Sequence, residues 1–278
     1  MYRDRIMGAF GDSLKKYGRR YTQLISAVLY NSNLKGFLSG RIYKGELKGV
    51  CAPGLNCYSC PGAVLSCPLG SFQSALMQSR YSVPLYVLGT LMLFSLLFGR
   101  FICGFLCPFG LFQELVFLIP FKKIKKSHAT RLFSGLKYVI LVLFVMILPV
   151  VLYNPSFCKY ICPAGTLEAG IPLSIADEGI RERLGVLFSW KLLLLILCVI
   201  LCLMFYRAFC RFVCPLGALY SLFNPVAFFG VKVDKDKCCH CSACARACRM
   251  DCRIAGDREC ISCGDCIKDC PTGAIRYR

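Results

Sequence analysis

The stretch "RFICGFLCPFG" at residues 100–110 places two cysteines, a proline and a glycine directly after a long apolar run. The stretch "YRAFCRFVCPLG" at residues 206–217 repeats this arrangement, and Arg207 matches Arg100. Both stretches contain the pattern Cys-x3-Cys-Pro-x-Gly at the end of an uncharged segment. Two copies of one element in a single chain predict an internally duplicated structure.

The apolar runs beside these elements are long enough to form transmembrane helices. Residues 81–99 and 138–158 are uncharged, and residues 192–206 are apolar and extend back through Trp190. A hydrocarbon core of ~30 Å needs about 20 residues of helix. Residues 21–38 are a weaker candidate because they include several polar side chains, and an interfacial helix is the alternative. We therefore expect a mainly α membrane protein with four transmembrane helices, arranged as a duplicated unit with pseudo-two-fold symmetry.

The charge distribution predicts how the chain is oriented. The 278 residues carry a net charge of +19, and 56 % of them are hydrophobic. Lys and Arg are concentrated in residues 1–20, 100–137 and 207–278, which four spans would place on one side of the membrane. Since cytoplasmic loops are rich in Lys and Arg, we predict a multi-pass protein of the cytoplasmic (inner) membrane with both termini in the cytoplasm. The positive charge therefore indicates a membrane surface and no nucleic-acid partner.

The carboxy-terminal part contains two runs of cysteines with C-x2-C-x2-C-x3-C spacing. They are Cys238, Cys241, Cys244 and Cys248, then Cys260, Cys263, Cys266 and Cys270. This spacing is typical of iron–sulfur ligands, and it resembles bacterial two-[4Fe–4S] ferredoxins, which are small α+β domains. We therefore expect three parts: a cytoplasmic segment at 1–20, a membrane domain at 21–230 and a cytoplasmic ferredoxin domain at 231–278.

The ferredoxin resemblance implies a ligand set for each cluster. One cluster would use Cys238, Cys241, Cys244 and Cys270, and the other would use Cys260, Cys263, Cys266 and Cys248. Arg249 stands where the resemblance expects a proline, and Cys239 and Cys252 are surplus. Cys252 is therefore a candidate that competes with Cys248 as a ligand.

The two repeated elements predict a further [4Fe–4S] cluster inside the membrane domain. Their four cysteines are Cys103, Cys107, Cys210 and Cys214, which is the number of thiolates that a cubane cluster requires. Cys-Pro-x-Gly also occurs at Cys67, Cys162 and Cys270. Proline favours the first position of a helix, and the amides and dipole of a helix start stabilise an anion. We expect this cluster at the cytoplasmic boundary.

The opposite face carries six cysteines for four ligand positions. They are Cys51, Cys57, Cys60, Cys67, Cys158 and Cys162. Three arrangements are open: Cys57 and Cys60 join Cys158 and Cys162, or Cys67 joins with a partner from further upstream, or the four cysteines of residues 51–67 hold a cluster among themselves. Four ligands and one disulfide would use all six, and a purely disulfide-bonded cap is the alternative to a second membrane cluster.

Paired C-x3-C-P elements beside membrane spans, followed by a two-cluster ferredoxin tail, resemble the NapH/NosR/CcoG family of membrane polyferredoxins. The resemblance implies electron transfer at the cytoplasmic membrane between a cytoplasmic or quinol donor and an acceptor on the outer side. The cysteine-rich element at residues 51–67 departs from the simple two-pair pattern. The same resemblance is consistent with this chain being one subunit of a larger complex.

Three functions are consistent with these patterns. The first is an electron conduit from a cytoplasmic donor, such as reduced ferredoxin, through [4Fe–4S] clusters to a flavin or metal redox protein at the outer face. The second is a quinol dehydrogenase subunit, and the third is a redox assembly or regulatory protein. In the first two cases the chain is an electron-transfer component of an oxidoreductase system, and in the third its outer cysteines are a thiol or metal-transfer site. No side chain is predicted to be catalytic.

Several other residues receive less specific interpretations. We expect no haem, because His128 and His240 lie outside the spans and cannot supply paired axial ligands. Cys198 and Cys202 are expected to pack as small buried hydrophobes. Glu114 and Glu168 are expected as carboxylates near helix starts.

Overall fold

The computed structural model describes residues 18–78, 85–124 and 128–277. Most of the expected cytoplasmic segment 1–20, and the beginning of the predicted span 81–99, lie outside these ranges. The helices are Arg19–Tyr30, Leu34–Ser39, Glu46–Gly49 (3-10), Pro68–Gln78, Leu85–Leu97, Phe101–Phe105, Pro108–Leu118, Thr130–Leu152, Ser156–Tyr160, Pro163–Gly165, Thr166–Gly170 (π), Ile171–Ala176, Glu178–Glu182, Val186–Met204, Ala208–Phe212, Pro215–Phe223, Ala243–Ala247 and Asp265–Lys268.

Two helices in the described ranges, Thr130–Leu152 and Val186–Met204, are long and apolar enough to cross a membrane. Only 22 % and 11 % of their most apolar segments are buried within the protein. A core helix of a soluble protein would be covered, so this exposure favours lipid as the surrounding medium. Helix Leu85–Leu97 has only 13 residues. The described ranges therefore contain two helices of full spanning length, and the expectation of four transmembrane helices stays a prediction.

The predicted spans differ from the observed helices at their ends. Residues 21–38 do not form one helix, because the chain leaves the helix at Asn31, whose side chain donates to Asn56 Oδ1 at 3.0 Å. The predicted span 138–158 begins earlier, at Thr130, and stops at Leu152, where Tyr153 adopts the left-handed conformation with φ 49°. It contains a π-helical stretch just before Pro149, which lacks the amide hydrogen that a regular turn requires.

The Cys-Pro-x-Gly elements of the membrane domain begin helices, as the sequence predicts. Pro68, Pro108, Pro163 and Pro215 are each the first residue of a helix. Where the cap is described, it is the preceding cysteine. The ferredoxin copy is different, because Pro271 lies in a turn. Helix starts therefore converge on the membrane-domain cysteines only.

The two repeats are joined by the matched arginines of the opening motif. Arg100 and Arg207 are both completely buried. The Arg100 guanidinium donates to the carbonyl oxygen of Cys210 at 3.0 Å, and the Arg207 guanidinium donates to the carbonyl oxygen of Cys103. Each repeat therefore holds the first cysteine of the other. This reciprocity supports the predicted pseudo-two-fold arrangement.

The carboxy-terminal domain has a two-stranded antiparallel sheet, Val231–Val233 with Ile275–Tyr277, and it docks on the membrane domain through buried ion pairs. The Glu259 carboxylate accepts from Arg100 and from Lys137 Nζ, the latter at 2.5 Å. Burial alone would raise the pKa of Glu259, but these two cations hold it below its ordinary value. Asp251 pairs in the same way with Arg211 Nη2, at 2.6 Å.

Replacing Glu259 by Gln tests this docking. The Glu259→Gln variant leaves Arg100 and Lys137 buried without their counter-charge, so we expect the domain at 231–277 to be held less tightly by about 3 kcal/mol. Amide hydrogen exchange of the full-length protein measures the change as faster exchange in this domain. Glu178→Gln is the control, because it removes an exposed ion pair with Arg181. Identical exchange in Glu259→Gln and wild type would contradict the docking role.

Candidate metal centres

The structure brings the four repeat cysteines, Cys103, Cys107, Cys210 and Cys214, together in the interior. We call them the inner site. Each is at most 5 % exposed, and their thiols lie within electrostatic range of one another. The four come from two pairs of short helices that the arginine contacts hold side by side.

A buried glutamine donates directly to the inner site. Gln113 Nε2 lies 3.0 Å from Cys210 Sγ. Its Oε1 accepts from the backbone amides of Phe209, at 3.0 Å, and Cys210, at 3.3 Å. Because two backbone donors fix the oxygen, the amide nitrogen must face the sulfur. Such a donor stabilises a thiolate more than a neutral thiol.

On the other side of the repeats, four of the six candidate thiols gather into a second set. Cys57, Cys67, Cys158 and Cys162 interact electrostatically with one another and line a cavity of about 600 Å³. We call them the outer site. Of the three arrangements open from the sequence, this is the one in which Cys67 joins Cys158 and Cys162, with Cys57 as its upstream partner.

Glycines make room beside these outer thiols. A Cβ atom on Gly70 would lie 3.8 Å from Cys158 Sγ, and one on Gly165 would lie 3.7 Å from Cys57 Sγ. Both glycines belong to Cys-Pro-x-Gly elements. The absence of their side chains leaves the thiols a shared open space.

The two remaining cysteines of this face do not line that cavity. The Cys60 thiol donates to Asn31 Oδ1 at 3.6 Å, and Cys51 is buried near Ser71, which does line the cavity. All 22 cysteines of the chain lie in its described part, and all are free thiols. The disulfide-bonded cap, and a disulfide between the two spare cysteines, are therefore not formed in the structure.

A second glutamine repeats the contact of Gln113 at the outer site. Gln73 Nε2 lies 3.5 Å from Cys158 Sγ, and its Oε1 accepts from the Phe157 amide at 3.1 Å. Sequence reasoning missed both glutamines. The signal was present, because "CPLGSFQ" at residues 67–73 and "CPFGLFQ" at residues 107–113 share the glutamine as well as the Cys-Pro-x-Gly pattern.

Burial disfavours the charged forms of the thiols and of the carboxyl group at the outer site. It raises the pKa of the Cys57 and Cys162 thiols above the ordinary value. It also raises the pKa of Glu168 to about 7, although the Cys57 amide donates to that carboxylate at 2.6 Å and opposes the shift. Thiolates at this depth need a cation, which a metal cluster supplies.

The ferredoxin cysteines fall into two groups of different exposure. A small cavity is lined by five closely placed thiols, those of Cys248, Cys252, Cys260, Cys263 and Cys266, together with Cys244. The surplus Cys252 is 2 % exposed, and its thiol hydrogen-bonds those of Cys248 and Cys260. In the other predicted set Cys241 is exposed, while Cys244 and Cys270 pack against the two-stranded sheet.

The thiol sets fit a cluster better than a single metal ion. In the described ranges no three His, Cys, Asp or Glu side chains lie close enough to hold one ion. A zinc ion needs its four ligand atoms within about 2.3 Å of one centre. A cubane binds each thiolate through a different iron, so its cysteines stand further apart. The cysteine sets therefore favour iron–sulfur clusters over zinc.

The two membrane-domain sites are neighbours. Tyr220 interacts electrostatically with Cys67 of the outer site and with Cys103, Cys107 and Cys214 of the inner site. Cys198 lies within the same range of Cys162 and Cys210. The loop at residues 51–67 brings them together, because Gly54 packs against Cys107 while Cys57 and Cys67 belong to the outer site. The position of each site relative to the membrane faces stays a prediction.

Two of the less specific interpretations also change. Glu114 does not cap a helix start; it forms buried ion pairs with Arg19 Nη1 at 2.6 Å and with Arg207. Cys198 and Cys202 are buried as expected. However, the Cys202 thiol also donates to Gln113 Oε1 at 3.7 Å, so this pair is not merely apolar filling.

Comparison with known proteins gives the same assignment as the cysteine geometry. A family model described as "4Fe-4S binding domain" matches residues 80–127, 135–171 and 186–235. A second model with the same description matches residues 257–276. The first covers both repeats and the second covers the last cysteine run. No solved structure matches the chain.

Curated relatives come from an archaeon and from bacteria. The uncharacterized protein MJ0750 of Methanocaldococcus jannaschii is 28 % identical over 76 % of this chain and 85 % of its own length. The putative electron transport protein YccM of Escherichia coli is 24 % identical over 71 % of this chain, and the ferredoxin-type protein NapH of Haemophilus influenzae is 22 % identical over 66 %. The chain spans 56 % of YccM and 64 % of NapH.

The converging thiols, the two family models and these relatives lead to one assignment. The chain belongs to the family of membrane polyferredoxins that includes NapH, YccM and NosR, and it is an iron–sulfur electron transport protein that binds [4Fe–4S] clusters.

Proposed function

We propose that this protein conducts electrons across the cytoplasmic membrane, from a cytoplasmic donor through the ferredoxin domain, the inner site and the outer site to an acceptor on the outer face. The observation that carries this proposal is the continuity of the thiol sets. Arg100 interacts electrostatically with Cys252 of the ferredoxin domain and with Cys103 and Cys210 of the inner site. Tyr220 in turn interacts electrostatically with thiols of both the inner and the outer site.

The side chains around the sites would stabilise the charges that electron transfer creates. Each bound cluster supplies a one-electron redox centre whose potential depends on charge and on hydrogen bonds to its sulfurs. Arg100 and Arg207 place two buried positive charges beside the inner site. Lys191 Nζ lies 3.2 Å from the carbonyl oxygen of Cys158 and interacts electrostatically with two outer thiols.

The outer site offers the route to an external acceptor. Its cavity is also lined by Tyr58, which is half exposed, and by three serines. If both termini are cytoplasmic, this cavity faces the opposite side from the ferredoxin domain. The position suits docking of a flavin or metal redox protein over the outer thiols. A donor such as reduced ferredoxin would then meet the exposed set that contains Cys241.

Iron content tests the number of sites. We expect wild-type protein to contain about sixteen irons, four in each of four clusters. Cys107→Ser and Cys162→Ser should each lose about four, because they remove ligands of different sites. Cys60→Ser is the matched control, since this thiol points away from the outer site. Iron quantification, together with EPR of the reduced protein, measures the number of clusters in each variant. About eight irons in wild type would contradict the proposal.

The two glutamines provide a site-specific test of potential. Gln113→Leu removes one N–H···S hydrogen bond, so the inner site should become harder to reduce by on the order of 60 mV, or about 1.4 kcal/mol for one electron. Gln73→Leu should shift only the outer site. Each variant serves as the control for the other in an EPR-monitored redox titration. Unchanged potentials in both variants would show that these amides do not tune the sites.

A quinol dehydrogenase subunit is the second candidate, and one cavity favours it. The cavity of about 320 Å³ is bordered by Phe37, Phe109 and Phe112, with Asn31 and Glu168 as its polar groups. Apolar pockets of this size with a few polar groups are typical of small-molecule sites. The cavity lies between helix Pro108–Leu118, which begins after Cys107, and Glu168, which accepts a hydrogen bond from the Cys57 amide.

A quinol analogue tests this second candidate. If the cavity binds quinol, anaerobic addition of the analogue should reduce the clusters of the isolated wild-type protein. Phe112→Trp narrows the cavity and should slow that reduction, while reduction by dithionite stays the same. Absorbance at cluster wavelengths follows both reactions. Clusters that accept electrons from dithionite but never from the analogue would rule out the quinol function.

A further inference from the structure

We propose that residues 53–57 form the electron bridge between the inner and outer sites, and that Tyr220 holds this bridge in place. The inference rests on the proposed function, in which electrons pass between these two sites. It assigns a role to residues 53–56, which precede Cys57 and belong to none of the predicted ligand sets.

Residues 54–57 run from the inner site to the outer site. A Cβ atom on Gly54 would lie 2.9 Å from Cys107 Cα of the inner site. Three residues later, Cys57 is itself a thiol of the outer site. Because each residue of an extended chain spans about 3.5 Å, these three residues cover at most roughly 10 Å. A short stretch of backbone therefore connects the sites.

The close approach depends on a glycine. A Cβ atom on Gly54 would lie 2.9 Å from Cys107 Cα and 3.1 Å from the carbonyl oxygen of Leu106. Both are backbone atoms, which cannot rotate out of the way. At Gly49, the last residue of the preceding 3-10 helix, a Cβ atom would meet nothing within 4 Å. A side chain is therefore tolerated at Gly49 but not at Gly54, where the chain touches the inner site.

Tyr220 fixes the segment from the opposite side. Its hydroxyl donates to the carbonyl oxygen of Pro53 at 2.7 Å, and the residue is completely buried. Its electrostatic contacts reach thiols of both sites. Asn31 supports the other end of the segment, by donating to Asn56 Oδ1 at 3.0 Å. The segment is thus held in one position between the two sites.

The transfer itself has a simple balance. One electron leaves the reduced inner site and enters the oxidised outer site; no bond forms or breaks, and no proton needs to move. The bridge only has to keep the two sites close and fill the interval with bonded atoms. Any change that displaces the loop should therefore weaken the coupling without removing a ligand.

EPR of the fully reduced, full-length protein measures this coupling directly. Two paramagnetic clusters held this close should split each other's signals. Gly54→Ala pushes the loop away from Cys107, so we expect a smaller splitting and several-fold slower electron transfer from the inner to the outer site. Gly49→Ala is the matched control and should leave both unchanged. Tyr220→Phe, which loses only the hydroxyl, should reduce both in the same direction but less.

Iron content separates failure of the bridge from failure of the proposed function. Wild type with both membrane clusters present and no splitting would overturn the bridge and leave the conduit standing, whereas absence of these clusters would overturn the conduit. If Gly54→Ala loses iron, Tyr220→Phe decides, and wild-type splitting and rate in that variant would overturn the inference. Cys198 lies within electrostatic range of Cys162 and Cys210, so it offers another path between the two sites. Cys198→Ala tests that path. A loss of coupling in this variant equal to that in Tyr220→Phe would also overturn the inference.

Discussion

Thiolate sites in an apolar interior require positive charge and hydrogen-bond donors close to each sulfur, and Arg100 supplies both the charge and the connection to the rest of the protein. Its guanidinium holds the Cys210 carbonyl of the other repeat and the Glu259 carboxylate of the ferredoxin domain. The charge beside the inner site therefore also docks the ferredoxin domain against it. Arg207 completes the pattern with Cys103 and Glu114.

In the four Cys-Pro elements of the membrane domain, the sixth residue after the cysteine makes a polar contact with a neighbouring element. The sixth residue after each of their leading cysteines is Gln73, Gln113, Glu168 or Tyr220. Gln73 and Gln113 donate to thiols across the interface, Glu168 accepts from the Cys57 amide, and Tyr220 donates to the Pro53 carbonyl. Each element thus begins at one site and contacts a neighbouring element six residues later.

The sequence was most informative where the chemistry is local. Cys103, Cys107, Cys210 and Cys214 could be grouped because the two copies match residue by residue, and helix starts follow from proline. The choice among the six outer cysteines depends on the path of the loop at residues 51–67, which no local pattern specifies. The same loop makes the two sites neighbours, which no local pattern predicts either. The helix of the first predicted span is interrupted after Tyr30, where Asn31 and Asn33 bind that loop.

The central claim is that the membrane domain itself contains two clusters beside each other. The most direct test is diffraction from crystals of the intact protein at the iron absorption edge, which locates iron atoms without any assumption about the ligands. The account predicts four iron peaks, of which two lie inside the membrane domain among the thiols of the inner and outer sites. Iron peaks confined to the ferredoxin domain would contradict it.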